Sequence, residues 1–169
     1  MKCAFTGPRP QSLPFRCEDN DPLYDDLMQR LIKEIVALCD HGVRDFICGM
    51  ALGADLLCGE IVASLKDRYP DINLHAAIPF RGQSDAWNLE DKERYRRLLK
   101  QCDTEDCPHE DIKNEYYLER NRKMVDACDV LLAVCDPDNI PFRSGTGATV
   151  RYAKIEGKQI VFVPPVKNI

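Results

Sequence analysis

Glycines, arginines and hydroxyl side chains follow four short apolar segments of this 169-residue chain. Glycine lets a backbone N–H group approach an anion, a helix N-terminus adds partial positive charge, and arginine donates paired hydrogen bonds to phosphate. The residues concerned are Thr6, Gly7 and Arg9 after the first segment, Gly49, Gly53 and Asp55 after the second, Arg81, Gln83 and Trp87 after the third, and Arg143, Ser144, Gly145, Thr146 and Gly147 after the fourth. Their chemistry predicts a site for a small phosphorylated ligand, provided that the fold brings them together.

Strand and helix patterns alternate along the chain. The helix pattern is clearest from Pro22 to Asp40, where Leu27, Leu31 and Ile35 recur at four-residue spacing behind Asp21, the expected N-cap. Strands are predicted at Lys2–Thr6, Asp45–Cys48, Ile72–Ile78, Val130–Val134 and Gln159–Val163, and the other helices at Ala54–Arg68, about Glu90–Lys100, about Glu115–Ala127 and from Ser144 to about Glu156, with an acidic loop through Asp111.

This alternation predicts the α/β class, with a mostly parallel sheet of about five strands covered by helices on both faces. Right-handed crossovers bring the loops after the strands to the carboxyl edge of the sheet, where open α/β sheets bind ligands. The length is close to the usual size of one domain of roughly 150 residues, so we expect residues 1–169 to form a single domain.

The net charge and the composition disfavour several classes of function. The net charge of -5 disfavours a protein that binds nucleic acid mainly by neutralising phosphates. No apolar run approaches the roughly 18 residues of a membrane span, and we expect a cytoplasmic protein without a membrane partner. The cysteine count of 9 is odd and no secretion signal is present, so the thiols are expected to be reduced.

Several residues at the predicted edge have a structural alternative. Ser144 and Thr146 can cap a helix as well as bind phosphate, and Trp87 can cover a loop core as well as stack on a base. Asp55 can serve the dipole of its own helix rather than a ligand. His75 is expected to be a satisfied core histidine because it lies within an apolar strand.

Known catalytic and metal motifs are missing from the sequence. There is no G-x-G-x-x-G, no G-x-x-x-x-G-K-[ST] and no G-x-S-x-G. Cys102, Cys107 and His109 are residue types that ligate zinc, but their spacing fits no common zinc site. We therefore expect no metal and no cofactor.

Five segments in order nevertheless resemble one family. They are Thr6-Gly7-Pro8-Arg9-Pro10, Gly49-Met50-Ala51-Leu52-Gly53-Ala54-Asp55, Pro79-Phe80 with Trp87, Arg120-Asn121 with Met124-Val125, and Ser144-Gly145-Thr146 with Tyr152-Ala153. Together they resemble the YpsA-like (DUF1273) group of the SLOG superfamily over nearly the whole chain. The resemblance implies a three-layer Rossmann-like domain that binds or senses a nucleotide or nucleotide-derived ligand, with Arg120 and Asn121 added to the site.

The resemblance also brings alternatives. The superfamily includes the LOG phosphoribohydrolases, whose P-G-G-x-G-T-x-x-E motif aligns with Gly145-Thr146 and places Thr149 where the catalytic Glu stands. Threonine is a poor general base, so hydrolysis of a nucleotide N-glycosidic bond would need an altered carboxylate such as Asp55 or Glu60. A DNA-associated role like that of the DprA branch is disfavoured by charge, and a homo-oligomer remains open.

Overall fold

The computed structural model describes residues 1–15 and 21–166. The strands are β1 (Lys2–Thr6), β2 (Asp45–Cys48), β3 (Asn73–Ala77), β4 (Thr104–Asp106), β5 (Val130–Ala133) and β6 (Gln159–Phe162). The helices are α1 (Pro22–Asp40), α2 (Ala54–Leu65), α3 (Leu89–Leu99), α4 (Glu115–Ala127) and α5 (Gly145–Ile155), and a short 3-10 turn spans Pro10–Ser12. The α/β class and the alternation of strands and helices are confirmed.

The six strands form one parallel sheet in the order β4-β3-β2-β1-β5-β6. Strands β1 to β4 therefore follow one another toward one edge of the sheet. The chain then crosses back, and β5 pairs with the other side of β1. In register, Cys3 of β1 lies opposite Phe46 of β2 on one side and Val130 of β5 on the other. The chain order reverses between β1 and β5, and a crevice at such a reversal is the usual ligand site of this architecture.

Two clusters of apolar side chains, one on each face of the sheet, join the sheet to its helices, so the protein has three layers. Leu27, Leu31 and Ile35 of α1 join α2 and α3 against one sheet face, as the four-residue spacing predicts. Residues of α4 and α5, among them Met124 and Val150, cover the other face. Six cysteines among the described residues are buried in these clusters or beside them: Cys3, Cys39, Cys48, Cys58, Cys128 and Cys135.

The ends of α1 follow from local chemistry. The Asp21 side chain accepts a hydrogen bond of 2.9 Å from the N–H group of Leu23, and Pro22 occupies the first turn, where its missing N–H costs nothing. Gly42 ends the element with a φ of +91°, a backbone conformation that side chains disfavour. This helix therefore begins and ends where the sequence predicts.

One strand more than predicted is present. β4 forms inside the segment expected to be an acidic loop, and all three of its residues are exposed. The preceding residue, Asp103, anchors β4 to β3, because its carboxylate accepts hydrogen bonds of 2.7 Å from the Leu74 N–H group and from Lys66. In the described ranges, no helix has the length and apolar character to cross a membrane.

The expectation of a core histidine at position 75 is wrong in part. His75 is satisfied, with ring nitrogens 2.8 Å from Asp45 Oδ1 and 2.8 Å from Thr104 Oγ1. However, its side chain is 26% exposed, because no helix fully covers β3 on that face of the sheet.

Candidate functional site

A cleft of about 840 Å³ lies at the carboxyl ends of β1 and β5. The cleft is lined by the segment after β1, the start of α2, the middle of α4, the connection from β5 to the start of α5, and the segment after β6. Ten residues singled out in the sequence line it, namely Thr6, Gly7, Arg9, Asp55, Arg120, Asn121, Arg143, Ser144, Gly145 and Thr146. The fold therefore brings most of the predicted site into one cavity.

The N-terminus of α5 forms one wall of the cleft. Ser144 is its N-cap and accepts a hydrogen bond of 2.9 Å from the Gly147 N–H group. The first N–H groups of the helix, on Gly145 and Thr146, have no carbonyl within the helix to bind. A β-carbon added to Gly145 would meet only the Asn121 side-chain nitrogen, at 4.0 Å, so this backbone faces open space. Ser144 is therefore a helix cap, and it also lines the cleft.

Asp55 and Arg120 approach each other over the bare α-carbon of Gly49. A β-carbon on Gly49 would lie 2.6 Å from Asp55 Oδ2 and 2.5 Å from Arg120 Nη1. Arg120 Nη1 also donates to the carbonyls of Gly49 and Ala77. Gly49 does not line the cleft; it lies behind this charged pair, and the absence of a side chain gives the pair its room.

Burial dominates the ionisation of both groups. It raises the pKa of Asp55, and the positive charge of Arg120 and the N–H group of Ala51 oppose the rise. Burial likewise lowers the pKa of Arg120, and Asp55 opposes that change. Asp55 is thus a carboxyl group held in low dielectric at a ligand cleft, a situation typical of functional acids.

The loop between β2 and α2 holds Asp55 in place and is strained. Met50 has a φ of 58°, which is uncommon for a residue with a side chain. The Gly49 carbonyl before it is fixed by Arg120 and by Gln83 Nε2, at 3.2 Å. Gln83 itself is buried, and its Oε1 is the buried side-chain atom without a hydrogen-bond partner among the described residues.

An aromatic ring that sequence reasoning did not select stands between two arginines. The guanidinium of Arg9 lies 5.2 Å from the centre of the Tyr117 ring, and that of Arg120 lies 6.0 Å from it. Phe80 packs edge-on against the same ring at 5.2 Å. The signal available in the sequence was the Tyr116-Tyr117 pair just before Arg120, which places an aromatic residue within one helical turn of it.

Three glycines of the predicted site lie where a side chain would collide with a neighbouring group. A β-carbon on Gly53, where φ is +92°, would lie 2.4 Å from the Pro8 carbonyl, and that carbonyl accepts a 3.2 Å hydrogen bond from the Ala54 N–H group. On Gly147 it would lie 1.8 Å from the Pro141 carbonyl. On Gly7, which does line the cleft, it would lie 2.3 Å from the Ala54 side chain.

Arg81 and Trp87 do not line the cleft. Arg81 is exposed and pairs with Glu110 at 2.7 Å, on the side of the molecule where the segment after β4 runs. Trp87 packs edge-on against Tyr95, with ring centres 5.5 Å apart, and covers the core under α3. Of the two readings of Trp87, the structure has the one in which it covers a loop core.

Thr149 also has a structural role. Its hydroxyl donates a hydrogen bond of 2.8 Å to the Gly145 carbonyl one turn earlier, and the side chain is buried. A catalytic carboxylate of the LOG type is thus replaced by a group that serves its own helix. Among the described residues, no group of three or more His, Cys, Asp or Glu side chains is arranged to hold a metal ion.

One protein family matches nearly the whole chain. A model described as "YspA SLOG family" matches residues 3–166. The chain belongs to this SLOG family. Curated relatives include the UPF0398 protein of Bacillus pumilus (strain SAFR-032), 30% identical over 80% of this chain and 74% of the relative, and the UPF0398 protein YpsA of Bacillus subtilis (strain 168), 29% identical over 80% and 76%.

Solved structures support the Rossmann-like fold of this SLOG protein. The DNA processing protein A of Helicobacter pylori, described for its single-stranded DNA binding mode, matches with a TM-score of 0.62 at 18% identity, over 97% of this chain and 65% of that one. The X-ray structure of TM1055 matches with a TM-score of 0.56 at 14% identity, over 94% and 71%. At these identities the likeness concerns the fold alone.

Proposed function

We propose that the cleft binds a nucleotide or nucleotide-derived ligand, with its phosphate at the N-terminus of α5. The observation that carries this proposal is the placement of that helix end in the wall of a cleft at the β1–β5 reversal. A helix N-terminus offers unpaired N–H groups and a positive partial charge, and the bare Gly145 lets a phosphate oxygen approach.

Other residues of the cleft can bind the sugar, the base or a second phosphate of such a ligand. Arg9 is exposed and stacked on Tyr117, so it can bind a second phosphate or the face of a base. Asn121 and Asn139 line the same cavity and offer amide groups for hydrogen bonds to a sugar or a base edge. A volume of about 840 Å³ lies within the range of small-molecule sites, roughly 300–1,000 Å³.

Calorimetry with AMP, ADP-ribose, NAD and cyclic AMP tests the proposal. At least one of them should bind and raise the melting temperature, because a ligand that binds only the native state stabilises it. Gly145→Ala should weaken that binding about tenfold or more, a change of about 1.4 kcal/mol, while the variant stays folded. Arg9→Ala should weaken it too. Arg81→Ala is the matched control, since Arg81 lies outside the cleft.

Asp55 favours one alternative, hydrolysis of the N-glycosidic bond of the bound nucleotide. A carboxyl group with a raised pKa can donate its proton to the leaving base as the C–N bond breaks. Water then adds to the sugar carbon and returns a proton to Asp55. Release of free base from any of the nucleotides above, lost in Asp55→Asn, would establish this activity; binding without release supports a sensor.

Single-stranded DNA should be tested in the same experiment, because the structurally similar protein from Helicobacter pylori is described as binding it. With a net charge of -5, this chain is not expected to show strong binding whose affinity falls steeply with salt. An oligonucleotide that binds in this way and loses affinity in Arg9→Ala would make the cleft a nucleic-acid site and overturn the proposal of a small nucleotide.

A further inference from the structure

A second cavity lies on the sheet face that carries α4 and α5. On that face, α4 covers β1 and part of β2, and β3 and β4 remain partly open beside it. A cavity of about 280 Å³ opens there, and we name it the side cavity. Residues that define it are Ile47, His75, Ala77, His109, Glu119 and Met124.

The interior of the side cavity is apolar. Ile47 and Ala77 form a floor on neighbouring strands, and the buried Met124 faces them from α4. Water in such a space finds few hydrogen-bond partners, so a molecule with an apolar surface gains free energy by displacing it. The volume is small, below the usual size of a drug-sized pocket, and it suits a single ring system rather than a whole nucleotide.

Two histidines are fixed at opposite parts of the rim. His75 is held between Asp45 and Thr104, as described above. His109 stacks on Tyr116, with ring centres 3.6 Å apart and planes within 5°, and its Nε2 lies 3.1 Å from Glu119 Oε1. These rings cannot easily rotate away, so they hold the rim in a fixed shape. Both ring nitrogens of His75 already have partners, and the rim offers a ligand the oxygen atoms of Thr104, Asp106 and Glu119 beside the two rings.

Charges around the rim are balanced. Glu119 pairs with Lys123 at 3.1 Å as well as with His109, and these two partners lower its pKa. The side cavity is also lined by the cations Lys2 and Arg120 and by the carboxylate of Asp106, and the positive charge of Arg120 is opposed by Asp55. The side cavity therefore offers little net attraction to an anion.

We propose that the side cavity is a second ligand site, for a small, neutral, planar heteroaromatic molecule about the size of a nucleobase. Its faces lie against Ile47, Ala77 and Met124, and its polar edge meets the histidine rim. This proposal is separate from the nucleotide site in the cleft, because different side chains carry it and, of the residues that the structure describes, only Arg120 lines both cavities.

The proposal is tested by methyl NMR of the full chain with labelled methionine methyl groups. Adenine and indole are the probes, and benzoate is the charged comparator. The Met124 methyl group reports on the side cavity, Met28 of α1 reports on the opposite face of the sheet, and Met124→Leu assigns the signal. Adenine and indole should shift the Met124 resonance with saturation at millimolar concentration, and benzoate should bind about tenfold more weakly. Met28 should not respond.

Two variants keep the result interpretable. Ala127→Phe places a ring at the exposed mouth of the cavity and should weaken the Met124 response about tenfold, and Ala77→Leu fills the floor with the same effect. Ala86→Phe, at an exposed alanine that lines neither cavity, should leave it unchanged.

Three results would overturn the proposal. They are the absence of a saturable Met124 shift, a shift that survives both Ala127→Phe and Ala77→Leu, or a Met124 resonance that moves with protein concentration alone, which would mean that a second copy of the chain covers this face.

Discussion

The cleft and the side cavity share Arg120 but hold their carboxylates in opposite ways. In the cleft, burial raises the pKa of Asp55 despite the nearby arginine. In the side cavity, hydrogen bonds from Lys123 and His109 lower the pKa of Glu119. Behind the rim of that cavity, a hydrogen bond from His75 lowers the pKa of Asp45. A paired, ionised carboxylate stabilises the fold. A buried carboxyl group with a raised pKa does not, and such groups are typical of functional sites. The cleft is therefore distinguished by its charged groups, and the side cavity by the shape of its apolar interior.

The largest effect is expected at Arg120, which both regions share. Arg120→Met should lower the free energy of unfolding by about 3–5 kcal/mol, because Asp55 then loses its counter-charge and the Gly49 and Ala77 carbonyls lose a donor. Arg122→Met, on the same helix with its guanidinium 5.6 Å from the half-buried Tyr152 ring, should cost less than about 1 kcal/mol. Urea unfolding measures both, and equal costs would show that Arg120 is not a structural cation.

Two glycines test which part of the cleft is packed and which is open. Gly49→Ala should cost about 1–3 kcal/mol of stability, because its methyl group collides with Asp55 and Arg120. Gly145→Ala should cost almost none, because its methyl group meets nothing nearer than 4.0 Å. Thermal unfolding without ligand separates the two; if Gly145→Ala were the more damaging, the open wall at α5 would be misassigned.

The two kinds of carboxylate should act on stability with opposite sign as pH falls. The pKa of Asp45 is lowered in the folded state, so its contribution is complete above the unfolded value of about 4 and is lost on acidification through the folded value. The pKa of Asp55 is raised, so the folded state gains a proton first, and acidification relieves a cost of folding.

Urea unfolding from pH 7 to pH 3 measures this difference. Relative to Asp45→Asn, the wild-type chain should lose up to about 1 kcal/mol on acidification, the size expected for a partly exposed pair. Relative to Asp55→Asn, the wild-type chain should gain stability over the range above about pH 4, where only the folded state binds the proton. The same sign for both carboxylates would remove the contrast between the two regions.

The fold was largely predictable because its buried strands and helices carry strong local signals. α1 begins at its aspartate cap and ends before Gly42, as expected. β4 could not be predicted, because its residues are exposed and acidic and carry no apolar pattern. Its pairing depends on the side chain of Asp103 reaching β3, a contact between distant residues that spacing along the chain does not reveal.

The residues that line the cleft were predictable from the resemblance to the SLOG family, as for Arg120 and Asn121, and where a motif directly adjoins a strand or opens a helix. Thr6, Gly7 and the Ser144–Thr146 segment meet that condition, and they line the cleft. Arg81 and Trp87 lie in the longer connection after β3, which folds away so that Trp87 can bury its ring on Tyr95. The side cavity depends on which strands α4 leaves uncovered, a property of packing that no single segment of sequence carries.

The most direct test of the central claim is calorimetry of AMP and ADP-ribose binding to the wild-type chain and to Gly145→Ala in parallel. Phosphate binding at the N-terminus of α5 predicts measurable affinity for the wild type and a loss of about tenfold or more in a variant whose melting temperature without ligand is unchanged. Equal affinity in the two proteins, or no binding to the wild type by any nucleotide in the panel, would contradict it.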